Sequence, residues 1–132
     1  MLKFFKEAIK GSEGLPPKVV SDALNKKFGE VINVDWLPKD THYEAIFYKD
    51  KIEHIAIFTY EGVLEKYKVC LTKDFLPVSI KAEMDMKGEI MNVVLINDGK
   101  SILYEIILRN QLLVRTLMLI THMGVVIEER VL

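Results

Sequence analysis

The chain has 132 residues, half of them hydrophobic, with 18 Lys and Arg against 19 Asp and Glu. That is the composition of one folded domain, or of two small units sharing a core, and not of a disordered chain. So even a charge balance supplies no field for nucleic acid or an anionic membrane, and no run approaches the ~20 apolar residues of a helical membrane span.

Residues 1–14 read as an N-terminal helix or arm. Leu2, Phe5 and Ile9 recur at helical spacing, with Phe4 and Ala8 beside them, until Gly11-Ser12-Glu13-Gly14 breaks the pattern. Two readings stay open: a helix packed on the domain, or an arm that docks on a partner. The opening MLKFFKEAIKG has too short an apolar core and too many charges for a secretory signal. A chain starting there is expected in the cytoplasm, and in the periplasm only if a leader was removed.

A core helix is expected from Pro16 or Pro17 to about Phe28. Proline suits the first helical turn, where its missing N–H would be unpaired anyway. Val20, Ala23, Leu24 and Phe28 form an apolar stripe, Lys18, Asp22 and Lys26 face out, and Gly29 permits a left-handed end. Four strands follow at 31–37, 42–48, 52–59 and 63–71, with connections short enough to make consecutive strands antiparallel hairpins. Thr72-Lys73-Asp74-Phe75 is a linker, with Asp74 a candidate helix cap. A second helix is expected over 77–87, then strands at 90–96, 102–109, 112–121 and 125–131.

The order of elements therefore repeats. Leu15-Pro16 recurs as Leu76-Pro77 and Tyr43-Glu44 as Tyr104-Glu105 at the same offset, and Thr59 and Gly62 answer to Thr121 and Gly124. The expected fold is α+β: two tandem helix-plus-four-stranded antiparallel meander units, 15–73 and 74–132, forming one curved sheet with helices on one face.

Both sheet faces read as substantially apolar, so something must cover the face away from the helices. Trp36, Tyr43, Tyr48, Tyr60 and Tyr67 are the candidate binding residues, because aromatics with polar tips anchor interfaces. Plain core packing is the alternative for each one singly.

The chemistry of an enzyme is missing. His42, His54 and His122 have no metal-ligand spacing, no Gly-x-Ser-x-Gly elbow or phosphate loop occurs, and Cys70 is a lone thiol in a strand. Glu83, Asp85 and Glu89 read as a solvated face, and Asn97-Asp98-Gly99 as a tight turn rather than a calcium loop. No catalytic residue, metal or cofactor is expected.

The Leu-Pro-x-x-(Val/Ile) helix opening, the lysine-rich helix end, the Tyr-Glu strand and the turn before glycine resemble the PepSY-like domains over nearly the whole chain. Those domains resemble one half of the beta-lactamase-inhibitor-protein fold. The second copy departs from the pattern, with Gly88 interrupting the helix end and the usual aromatic absent there. The resemblance implies an exported, non-catalytic protein-binding module, of the kind proposed to restrain peptidases. The expected function is protein binding, inhibitor-like, through the open sheet face, to an unknown protein partner or another copy of itself. The alternative is a carrier of a small apolar ligand, with its pocket between sheet and helices.

Overall fold

The structure, a computed structural model, describes residues 15–132. The helix expected over 2–9 lies outside them. The described residues are α+β, with two α-helices, a short 3-10 turn and eight strands. The chain divides after Tyr67 into two compact units.

In the first unit α1 is Lys18–Phe28, entered from Pro17, whose carbonyl accepts the N–H of Val20 at 3.0 Å. An isolated helix of this length is not stable in water. Val20 and Leu24, almost wholly buried, supply what it lacks, at roughly 1.5–3 kcal/mol for each buried side chain. Gly29 takes φ +79° at the C-terminus, as expected of a residue ending the helix.

Strand β1 is Asp35–Pro38 and starts later than its sequence suggested. Asn33 takes a left-handed φ of +57°, which breaks the extended run, while Val31 and Val34 pack on the core from the preceding loop. Strands β2 (His42–Lys49) and β3 (Ile52–Thr59) pair antiparallel in full register, through a turn in which Asp50 and Lys51 both take positive φ. That matches the twist a two-residue hairpin turn requires. Strand β4, Leu64–Leu71, spans the point of division.

The turn after β3 closes on Thr59. Its carbonyl accepts Gly62 N–H at 3.0 Å and its hydroxyl accepts Val63 N–H at 3.0 Å. Gly62 has φ +88°, and a Cβ there would stand 2.8 Å from the Val19 carbonyl oxygen of α1. The core of this unit joins Val20 and Leu24 to Ala45, Phe47, Ala56 and Phe58.

In the second unit Asp74 lies inside the 3-10 turn Lys73–Phe75 and does not cap the helix. Helix α2, Val78–Lys87, is entered from Pro77, which leaves its first turn with no side-chain cap. Strands β5 (Glu89–Asn97), β6 (Ile102–Arg109), β7 (Arg115–Thr121) and β8 (Val126–Val131) pair in sequence order, all antiparallel. The register slips between Ile90 and Asn92 and again between Leu119 and Ile120. The core is Ile80 and Met84 of α2 against Val93, Tyr104, Ile106, Leu108, Met118 and Ile120.

Residues 112–114, expected in the seventh strand, belong to the turn before it. The Asn110 side-chain oxygen accepts the N–H groups of Leu112 at 2.9 Å and Val114 at 3.1 Å, and Leu113 takes φ +64°. A side-chain acceptor two and four residues upstream thus outcompetes the ladder for these amides. The turn after β7 has the construction of the turn after β3. Thr121 accepts Gly124 N–H at 2.9 Å on its carbonyl and Val125 N–H at 3.0 Å on its hydroxyl.

Candidate binding surface

Strand alternation sorts the strands of each unit into a face that meets its helix and a face that does not. In the first unit the row Trp36–Ala45–Ala56 and the neighbouring Phe47 and Phe58 lie on the helix side. The opposite side carries the rows Leu37–Glu44–Ile57 and Asp35–Ile46–Ile55, then the pair Tyr48–Glu53. Leu37, Ile46, Ile55 and Ile57 are half-buried, neither sealed nor fully wet. His42 and Glu44 share this side as a pair 3.2 Å apart, and Thr41 steadies the other ring nitrogen at 3.2 Å.

In the second unit the helix-free side carries the rows Asn92–Ile107–Leu117–Arg130 and Val94–Glu105–Leu119–Glu128, with Ile96 and Leu103 beyond. Ile107, Leu117, Leu119, Val94 and Leu103 are half-buried. Charge surrounds them: Arg109 holds Glu89 at 2.9 Å and Arg130 holds Glu128 at 3.1 Å. Each unit thus presents an apolar strip, with one glutamate in its middle and charged residues at its margin.

The five aromatic candidates do not gather on this surface. Trp36, Tyr43 and Tyr67 are half-buried on the helix side, packed against the first core. The Trp36 ring lies 6.4 Å from Phe58 and the Tyr67 ring 4.9 Å from Phe28. Tyr60 sits in a turn, edge-on to Tyr43 at 5.1 Å, and its hydroxyl donates to the backbone carbonyls of Lys39 and Asp40. Tyr48 is the one candidate on the helix-free side; it is 66% exposed and donates to Glu53 at 3.2 Å.

The histidines are also apart. His54 stacks between Phe47 and Tyr67 and hydrogen-bonds the Tyr67 hydroxyl. Burial, more than any charge, holds its pKa below the ordinary imidazole value, and burial likewise raises Tyr67. His122 meets the Tyr104 hydroxyl at 3.3 Å. Asp98 is lowered by the N–H groups of Lys100 and Ser101, the bonds that make 97–101 a tight turn. Among the described residues no group of His, Cys, Asp or Glu is arranged to hold a metal, and no polar or charged side chain is buried. Cys70 is half-buried rather than sealed in the core.

One apolar feature had no counterpart in the sequence reading. Leu112 and Leu113 stand 83% and 69% exposed at the tip of the β6–β7 turn, and Met86 at the end of α2 is equally bare. They line an open recess of about 810 Å3 with Arg109 and Glu89. The signal was available: an apolar run that begins two residues after an asparagine turn need not start the strand.

No family model matches the chain, and no curated protein matches it. Solved structures do. A provisionally designated periplasmic protein of Bacteroides eggerthii superimposes with a TM-score of 0.80 at 18% identity, over 89% of this chain and 90% of that one. A DUF2874 family protein of Bacteroides uniformis gives 0.80 at 19%, over 89% and 90%. A BLIP-like protein of Bacteroides fragilis gives 0.76 at 17%, over 89% and 87%. The chain has a BLIP-like fold. At these identities the likeness is one of fold, and it includes the beta-lactamase-inhibitor-like architecture expected from the sequence. Among the described residues no helix is long and apolar enough to cross a membrane.

Proposed function

We propose that this BLIP-like chain is a non-catalytic protein-binding module that uses the helix-free sheet face, and that it acts as an inhibitor does, by covering a partner's surface. The supporting observation is the half-buried apolar strip of the second unit, Ile107, Leu117, Leu119, Val94 and Leu103, edged by Arg109, Arg130 and Glu128. Apolar centre and charged margin are the anatomy of a protein interface. The strip of the first unit repeats the pattern at lower apolar content. We further propose that the two units are copies of one PepSY-like module, which the matching Thr59 and Thr121 turns support, and that the chain works in the periplasm, as one similar structure is designated.

The carrier reading draws no support from the geometry. Val20, Leu24, Ile80 and Met84 fill the space between helix and sheet, each at most 3% exposed.

The test starts from a pull-down in the native organism followed by mass spectrometry, with Leu117→Glu, Ile57→Glu and Lys51→Glu as parallel baits. The first two alter helix-free strips and the third a turn. A partner kept by the wild type and Lys51→Glu, and lost with either strip variant, supports the proposal. A partner that both strip variants retain refutes it. Trp36 is unsuitable for this purpose because its loss would open the core.

A further inference from the structure

We infer that β8 is a self-complementary docking edge, and that a second copy of this chain adds to it antiparallel, with Glu129 on the two-fold axis. Strand β8 pairs with β7 on one side and has no partner among the described residues on the other. All six of its residues are exposed, including Ile127 at 55% and Val131 at 68%. Natural edges are commonly blunted with charge, lysine above all, with proline or with bulges. Strand β8 has no lysine or proline, its ladder slips near Val126, and its three charges, Glu128, Glu129 and Arg130, are of both signs and so can answer one another across a two-fold.

The backbone fixes which residues can pair. Leu132 donates its N–H to the Arg115 carbonyl at 2.9 Å. Bonded and non-bonded rows alternate in an antiparallel ladder. Arg130 and Glu128 therefore turn their amides toward β7, and Val131 and Glu129 turn theirs outward. A two-fold pairing that keeps both helix faces on one side must set outward amides against outward amides, so only registers centred on a single residue survive.

Centred on Ile127 or Val131 the pairing joins only three residues of each strand, whereas centred on the residues between them it joins five. Charge selects among these three longer registers. Centred on Glu128, the pairing sets Ile127 against Glu129 and Val126 against Arg130. Centred on Arg130, it sets Glu129 against Val131 and Arg130 against itself. Centred on Glu129, it sets Glu128 against Arg130 twice and Ile127 against Val131 twice. Each of these three has one like-charge pair on the axis. Only the last offsets it with two opposite-charge pairs, in non-bonded rows where side chains approach most closely, by extending across the axis the Glu128–Arg130 pair that each strand already holds at 3.1 Å. Glu128 and Arg130 also border the face assigned above, but self-association is measured on the purified chain with no partner present, so the failure of one proposal is distinguishable from the failure of the other.

A contact of this size is weak, so the measurement is sedimentation over a series reaching about 1 mM, with circular dichroism to show that each variant folds. The wild type is expected to dimerise reversibly. Arg130→Glu and Glu128→Arg are each expected to raise Kd at least about tenfold, or 1.4 kcal/mol. An equimolar mixture of the two variants is expected to dimerise again. One chain then carries acids at both positions and the other carries bases at both, so each of the two facing pairs is again opposite in sign. Glu129→Gln is expected to lower Kd. A wild type that stays monomeric, a dimer indifferent to both reversals, or a mixture that does not recover would each overturn the inference. Should a reversal variant not fold, Glu128→Gln with Arg130→Gln removes both pairs without repulsion, and an unchanged Kd would count against it equally.

Discussion

Gly62 and Gly124 occupy equivalent places in two turns of the same construction, at φ +88° and +93°. Their surroundings differ in one respect. A Cβ at Gly124 would meet nothing within 4 Å, whereas one at Gly62 would stand 2.8 Å from the Val19 carbonyl oxygen and 3.2 Å from its carbon. Alanine at either site carries the left-handed penalty of about 1–2 kcal/mol, partly offset by about 0.4–1 kcal/mol of unfolded-state entropy. Gly124→Ala is therefore expected to cost about 1 kcal/mol. Gly62→Ala adds the clash, and the neighbour is helix backbone, which cannot yield without moving all of α1. Overpacking of that kind costs about 1–3 kcal/mol, so Gly62→Ala should cost about 2–4 kcal/mol. Urea unfolding of the two variants measures both losses, and amide exchange should quicken along α1 in Gly62→Ala alone. Equal losses, or undisturbed exchange in α1, would refute the reasoning, because they would mean that α1 is not held against the turn.

Two further predictions concern single side chains. Leu113 takes φ +64° while 69% exposed, so asparagine, which tolerates that conformation, should stabilise the chain by about 0.5–1 kcal/mol in the same urea assay; a loss would show that Leu113 packs more than its exposure suggests. His54 has a folded pKa below its unfolded value near 6.5, because burial disfavours the charged ring. The unfolded chain then binds the extra proton, so stability is complete above about 6.5 and falls as pH drops toward the folded pKa. Thermal melts between about pH 7.5 and about 5 should show this decline, flattened in His54→Gln; an unchanged slope in that variant would assign the decline to other groups.

Much of the fold was legible in the sequence, because local signals and packing agree there. Pro17 and Gly29 bracket α1, and the stripe of Val20 and Leu24 is the stripe that is buried. The strand boundaries that moved did so where burial and extension part company. Val31 and Val34 are apolar because they pack on the core, not because they lie in a strand, and the left-handed Asn33 separates the two roles. Leu112 and Leu113 look like a strand in letters, but Asn110 takes their backbone amides into a turn. Which side of the sheet the aromatic candidates take was not legible for a different reason. A period of two says which residues share a face, not which face the helix covers. Tyr43, Ala45 and Phe47 share one side of β2, and Glu44, Ile46 and Tyr48 the other. The glutamate marked the wetter side, and choosing by aromatic content alone passed over it.

Under the proposed function, that glutamate bears on what the helix-free face would select for. An apolar strip by itself would favour any greasy partner, including misfolded chains. A carboxylate in its middle changes the balance, because covering Glu44 or Glu105 without a partner group forfeits its hydration, at a cost larger than the burial of one neighbouring isoleucine contributes. Glu44 already has His42 at 3.2 Å, so the first strip carries its own answering group and tolerates an apolar cover better. Glu105 lies between Val94 and Leu119, and the next residue of its row, Glu128, is itself an acid already tied to Arg130. A surface that covers the second strip must therefore bring a donor, a lysine, an arginine or a row of backbone N–H groups, to the one place where the strip is not apolar. Discrimination of this kind works by penalising the wrong partner more than by rewarding the right one, which is the property an occluding module needs if it is to ignore every other hydrophobic surface around it.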